Sequence, residues 1–399
     1  MVFKYKAATE TGEVIEGIYE GDSAEAVSEM LKNKNYYVIS LKKTRSIKLE
    51  RVFKPKVKTK DIAIFCRQFH AMLKAGINLI TCLDILRTQL TNRTLREAVA
   101  DMYEDIQKGL NLSAAMMKHS EVFPSLLISM VEAGEVSGNL DVMMERLAIF
   151  YEKESNLERK IKGAMVYPII LIVVTVAVVI FLITNVMPTF VTVFEDSDTP
   201  LPWPTRLLIN ISDGFRSHWY IHIAVILGLI FLIRTWKQTD NGRRFFDRLK
   251  LKMPLFGSTN VKIITSRFTR TLSTMLSSGI PLVQAFDAVN RVIGNKIVAD
   301  KLEEAKKEVV KGVPLSLTIR ATEIFPPMLD SMLRVGEESG ALDDALQRTA
   351  DFYDEEVDFA VDKMTTAFEP ILIVFMALIV GFVVIAMAMP MFDMIGAVQ

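Results

Sequence analysis

Apolar positions follow helical spacing along one stripe of this chain, and the same stripe returns far downstream. Phe65, Phe69, Met72, Leu73 and Gly76 define it first; Phe268, Leu272, Met275, Leu276 and Gly279 repeat it 203 positions later. The repeat then becomes gapless. Met130–Glu154 aligns with Met332–Glu356, so Gly134, Glu135, Ser137 and Gly138 return as Gly336, Glu337, Ser339 and Gly340. Phe150 and Tyr151 return as Phe352 and Tyr353, and each copy runs into a proline, Pro168 or Pro370, that opens an apolar run. Even the far ends correspond, Met187-Pro188 against Met389-Pro390. A period of about two hundred residues makes this a duplicated domain.

The stop signals divide each copy, 61–166 and 261–369, into about six helices. Gly76 and Gly279 sit where a helix needs a left-handed residue after its end. Lys108-Gly109 and Lys311-Gly312 are further stops, and Pro124 and Pro326 open the next helix. Gly134 and Gly336 are expected to end the fifth helix, with Ser137 and Ser339 capping the sixth. The sixth helices, expected over 140–165 and 342–369, lead into the apolar runs. Ahead of the repeats, residues 1–41 read as a small α/β module. Its strands fall near Val2–Lys6 and Val14–Ile18 across Thr11-Gly12, a helix over 23–34 is capped by Asp22, and a strand returns at 36–41. Between the module and the first copy, 42–60 is a basic linker whose single acid is Glu50. It could be solvated or lie on anionic lipid.

Three segments qualify as membrane spans. Residues 167–187 and 370–392 carry no charge and are long enough to cross a hydrocarbon core of about 30 Å. The third, 219–236, is shorter and bracketed by Trp219, Tyr220 and Trp236. With three crossings both repeats face the same side. The 188–218 loop holds Arg206 and Arg216 against Glu195, Asp196, Asp198 and Asp213, whereas the 237–260 connector is rich in Arg and Lys. The positive-inside rule therefore places the N-terminus and both repeats in the cytoplasm, with the 393–399 tail outside. The acidic stretch at 351–369 runs against that trend, and the repeat argument outweighs it. Leu207, Leu208 and Ile211 in the loop read as an amphipathic stretch along the outer leaflet.

Composition narrows the chemistry. The chain has 399 residues, 50% hydrophobic, with formal net charge zero, which argues against a nucleic-acid binder, whose affinity rests on a basic face. Its start has no apolar signal region. Cys66 and Cys82 form no CxxC pair. No Gly-Lys dipeptide occurs, which excludes a Walker A loop. Gly134–Gly138 places its serine fourth, where a nucleophile elbow needs it third. His218 and His222 lack the glutamate of HExxH. Asp351, Asp354, Asp358 and Asp362 line one helix face and could hold a cation with a second helix; solvated charge is the simpler reading. Glu135 and Glu337 are either solvated turn residues or shared partner contacts. The charge-free spans offer no path for a solute, which speaks against a transporter.

The duplicated pattern closely resembles the inner-membrane platform family of type IV pilus and type II secretion machines. The marks are Phe65-x-Arg67-Gln68-Phe69 with Leu73-x-Ala75-Gly76-Ile77, the two G-E-x-S-G-x-L turns, the two Phe-Tyr pairs and the prolines Pro168 and Pro370. Copy two departs at the first, reading Phe268-Thr269-Arg270-Thr271-Leu272. The resemblance implies an all-α polytopic protein of the bacterial inner membrane with no catalysis, cofactor or metal. It further implies a hexameric motor ATPase below, pilin or pseudopilin subunits in the membrane, other inner-membrane assembly proteins beside it, and a homo-oligomer, a dimer. The function expected is a pilus platform; the alternative is a secretion platform.

Overall fold

The computed structural model describes residues 2–8, 14–20, 24–33, 36–43, 55–186, 202–254 and 256–397. The Thr11-Gly12 turn, the Asp22 cap, most of the basic linker and the 188–201 loop fall outside them. The chain divides into two compact units, Met1–Val57 with Thr91–Leu95, and Lys58–Leu90 with Arg96–Gln399.

In the first unit, β1 (Val2–Ala8) pairs antiparallel with both β2 (Val14–Glu20) and β3 (Tyr37–Lys43), giving the order β2-β1-β3. Helix α1 (Ala24–Asn33) buries Val27 among Tyr5, Ala24, Tyr36 and Val38. The register of β1 against β3 shifts between Lys6 and Ala7, as a bulge does.

The second unit is helical. Copy one comprises α2 (Thr59–Lys74), α3 (Leu79–Gln89), α4 (Arg93–Gln107), α5 (Leu112–Met117), α6 (Ser125–Ser137) and α7 (Leu140–Ala164). The apolar continuation is α8 (Val166–Phe181), ending in a π turn at Leu182–Val186. Next come α9 (Trp203–Trp236) and α10 (Asp240–Lys252). Copy two comprises α11 (Phe256–Ser277), α12 (Leu282–Ile293), α13 (Lys296–Val310), α14 (Leu315–Ala321), α15 (Pro327–Ser339) and α16 (Leu342–Ala397).

The same aromatic core organises both copies. Phe65 meets Phe123 at 5.6 Å and Phe69 at 5.5 Å; its counterpart Phe268 meets Phe325 at 4.9 Å and Phe286 at 6.4 Å. Copy two thus keeps its packing despite Leu272 in place of a phenylalanine. Phe286 supplies the lost ring from the position where copy one has Leu83, and all four side chains are fully buried. A volume exchanged between facing helices preserves density. Gly76 and Gly279 both take φ of 79°, and the Ile77 and Ile280 N–H groups donate to Met72 and Met275 carbonyls, closing the first helix of each copy.

Three boundaries differ from the sequence reading. The 188–218 loop and 219–236 span are not separate from Trp203 onward, because α9 is one helix of 34 residues starting after Pro202 with Pro204 in its first turn. Its early part does not float free: Thr205 Oγ1 donates to the Ala386 carbonyl at 2.5 Å, Ser212 Oγ donates to the Ile183 carbonyl at 3.0 Å, and Leu208 packs with Ile183, Val383 and Ala386. The two membrane-entry prolines also act differently. Helix α7 ends at Ala164, with Met165 capping it and α8 restarting so that Pro168 falls in its first turn, whereas α16 runs unbroken for 56 residues through Pro370. Proline is tolerated in a first turn, where its missing N–H has no partner to lose. Two helices are long and apolar enough to cross a membrane, Leu140–Val186 and Leu342–Met389; Leu227–Trp236 is a shorter apolar stretch among the described residues.

Candidate functional site between the two repeats

The duplicated turn is built from the inside. Helices α6 and α15 continue through Gly134 and Gly336, which lie mid-helix, and end instead at Gly138 and Gly340 with φ of 72° and 70°. Gly134 and Gly336 are glycine for a different reason: close helix approach. A Cβ at Gly134 would lie 2.9 Å from Met143 Cγ and 3.1 Å from Leu140 Cα; at Gly336 it would lie 2.9 Å from Ala345 Cβ and 3.0 Å from Leu342 Cα. Ser137 and Ser339 do not cap the sixth helix. Their hydroxyls donate back to the Ala133 and Gly336 carbonyls.

Glu135 and Glu337 turn inward. The Glu135 carboxylate accepts from Leu112 N at 2.5 Å, from Ser113 N at 3.0 Å and from Ser113 Oγ at 2.5 Å. Glu337 does the same for Leu315 N, Ser316 N and Ser316 Oγ. Each acid therefore caps the short helix α5 or α14, which lacks a side-chain cap of its own. Replacing either by alanine is expected to cost about 1–2 kcal/mol, read as a lower unfolding midpoint. Glutamine at the same position should recover part of it.

What joins the copies is a seam along α7 and α16. These helices run parallel and side by side. Lys153 Nζ lies 2.6 Å from Asp351 and 3.4 Å from Asp354; seven residues on, Lys160 Nζ lies 3.2 Å from Asp358 and 3.3 Å from Asp362. Between the charged rungs, Leu157 packs on Val357 and Val361. The four acids of the apparent cation face are thus paired with lysines of the other copy. Four of the acids in the 351–369 stretch therefore have a partner within the chain. Burial would raise the Asp351 carboxyl, but hydrogen bonds from Lys153 and Gln347 and the charges of Lys153 and Arg270 outweigh it and hold it below the ordinary value. Burial works against the charge on Lys160; Asp358 and Asp362 more than offset it and keep its ammonium above the usual range.

The centre of the seam is buried. Arg270 of α11 pairs with Asp354 of α16 and faces Glu154 of α7 at 4.0 Å, while Arg267 also pairs with Glu154. Ser266 Oγ donates to Asp354 at 2.6 Å. Glu154 Oε2, Arg267 Nε, and Arg270 Nε and Nη1 are buried without a hydrogen bond to the protein. At the upper end, Arg146 reaches Ser277 at 2.5 Å and Ser278 at 3.1 Å. Copy one contains the counterpart of the Arg270 pair, Arg67 with Glu152, yet there it stands in solvent, with side chains 45% and 41% exposed. One motif therefore serves as a surface pair in copy one and as a buried joint in copy two. An under-satisfied ionic centre adds little net stability, because the cost of desolvating the charges offsets their attraction. Sequence reasoning missed Lys153, Lys160, Glu154 and Arg270. The signal was present as a lysine pair spaced by seven on one neck against an acid ladder on the other.

Beyond the seam the helices stay together: Thr175 Oγ1 donates to Leu171 O and to Met376 Sδ, joining α8 to α16. Two copies of one helical bundle, locked through parallel necks that continue into membrane-length apolar helices, define a duplicated membrane-associated scaffold class. The chain belongs to the family described as type II secretion system (T2SS) protein F, whose model matches residues 65–188 and again 268–390, with its N-terminal domain matching 1–42. It is 40% identical over 403 residues to the type IV pilus assembly protein PilC of Thermus thermophilus, covering 100% of this chain and 99% of that one. It is 36% identical to the Myxococcus xanthus protein of the same name, covering 100% and 96%. The type II secretion system protein F of Vibrio cholerae is 34% identical, covering 98% of each chain.

Proposed function

We propose that this chain is the non-catalytic inner-membrane platform of a type IV pilus machine, coupling a cytoplasmic motor ATPase to the insertion or removal of pilin subunits. The observation that carries the reading is the pair of parallel necks. Two bundles fixed side by side, one running unbroken into its apolar helix and the other leading into its own across Met165, form a lever that turns motion of soluble domains into motion of membrane helices. The parallel arrangement also supports the topology. Both necks enter the membrane in the same direction, so the chain between them crosses back, and α9 is the helix available to do it. Three spans follow, with both repeats and the N-terminus cytoplasmic and the C-terminus outside. Homo-dimerisation and contacts with other inner-membrane assembly proteins belong to the same reading.

A secretion platform is the second reading, supported by the similarity to the Vibrio cholerae protein over 98% of each chain. Deletion with complementation, scoring surface filaments and exported enzymes side by side, separates the two. Loss of filaments with pilins accumulating in the membrane is the expected result. Persistent filaments with exoproteins retained in the cell would assign the chain to secretion, and no change in either would overturn the platform reading.

A further inference from the structure

Helix α10 joins the second apolar stretch to copy two, and its two faces differ. The inner face is clamped: buried Asp247 accepts from Lys296 N at 2.9 Å, and its own carbonyl accepts from Asn295 Nδ2 at 3.2 Å. Arg244 pairs with Asp300 at 3.0 Å. The outer face carries the row Phe245, Leu249 and Met253, which are 53%, 43% and 37% exposed. One helical step aside lie Arg248 and Lys252. Arg248 and Lys252 make no ion pair among the described residues.

This face is held against the end of the apolar stretch. Trp236 packs at a tilt against Phe245, ring centroids 5.4 Å apart, and edge-to-face against Phe246 at 5.6 Å, and Lys237 lies 5.8 Å over the Phe246 ring. The reversal is tight, since a Cβ on Gly242 would sit 2.0 Å from the Trp236 carbonyl oxygen. Helix α10 therefore begins at the depth where the apolar residues stop. An exposed Phe-Leu row flanked by unpaired cations at that depth fits neither water nor hydrocarbon alone; it fits the boundary between them.

We infer that α10 is an interfacial helix that binds anionic phospholipid, seating Phe245 and Leu249 at the acyl boundary and Arg248 and Lys252 on headgroup phosphates. The inference rests on the reading of α9 as a span. It fixes copy two to the membrane surface at a second point besides its neck, and it makes that attachment depend on headgroup charge.

The test uses the full chain in nanodiscs, with an environment-sensitive fluorophore on Leu249→Cys and nitroxide lipids as quencher. Cys66 and Cys82 are both buried, and burial pushes both thiols up, so the introduced cysteine reacts selectively. Phe231→Cys, within the apolar stretch, reports the span itself. Quenching at both positions, stronger at 249 in phosphatidylglycerol than in phosphatidylcholine and lost when Arg248→Glu and Lys252→Glu are combined, is expected. Quenching at 231 alone overturns the inference while leaving the span intact, and the face is then free for a protein partner. Equal quenching at 249 in both lipids overturns the headgroup assignment. No quenching at 231 removes the span and the inference with it.

Discussion

Replacing Arg270 by alanine is expected to destabilise the protein by about 3 kcal/mol, whereas Arg67→Ala costs under about 1 kcal/mol. The two arginines hold equivalent positions and equivalent acids, so chemistry does not distinguish them; burial does. Arg67 and Glu152 stand in water, which screens their attraction and solvates either partner when the other is removed. Arg270 is 5% exposed. Its loss removes the one cation that both Glu154 and Asp354 face, leaving Glu154 to Arg267 and Asp354 to Lys153, and Glu154 is itself 8% exposed. Burial pulls the Arg270 guanidinium below its ordinary value and the Glu154 charge works against that pull, so cation and acid depend on each other. Unfolding of the purified protein in detergent measures both variants. Adding Glu154→Gln, Asp354→Asn and Arg267→Gln to an Arg270→Met background should restore most of the loss, because Arg267 also pairs with Glu154 and removing a buried network whole costs less than removing one member. Equal effects of Arg67→Ala and Arg270→Ala would deny that the seam is buried.

The second large effect is expected from a proline in the neck, and its position matters. Leu147 and Leu346 are natural targets on the sequence alone, but both side chains are fully buried, so proline there would damage the bundle core as well as the helix. Lys363 lies on the exposed side of α16, beyond the Leu157, Val357 and Val361 contact and before Pro370. Lys363→Pro removes one helical hydrogen bond and pushes the ring against the Phe359 carbonyl, at a cost of about 3 kcal/mol or more, while the packed core is untouched. Loss of filaments with normal protein in the membrane is the expected result, with Lys363→Ala behaving as wild type. Filaments of normal number in Lys363→Pro would show that the neck does not transmit force.

The sequence disclosed the duplication, the helical class and the apolar helices because each depends on spacing or on a run of one residue type. Gly76 and Gly279 were legible as stops, since a left-handed residue after a helix leaves a local mark. Gly134 and Gly336 were not. A glycine needed for helix approach looks like a glycine needed for a turn, and only the partner helix, with Met143 or Ala345 against it, separates the two. Glu135 and Glu337 were ambiguous for the same reason, because their acceptor role reaches back 22 or so residues to Ser113 and Ser316. The acid ladder from Asp351 to Asp362 was read within its own helix. Its partners Lys153 and Lys160 lie some two hundred residues earlier, and the pairing is visible only once the necks stand side by side. The start of α9 at Trp203 was hidden by prolines that suggest a loop and in fact open a helix.

Coupling between the copies depends on the seam within one chain, and crosslinking tests it most directly. Lys160 and Asp362 approach to 3.3 Å. With both changed to cysteine in the full-length protein, and Cys66 and Cys82 buried, a short bis-maleimide added to membranes should link copy one to copy two inside a single chain. The product would migrate as a monomer and give one crosslinked peptide pair on digestion. A covalent dimer alone, or no link at all, would contradict the parallel necks and the coupling built on them.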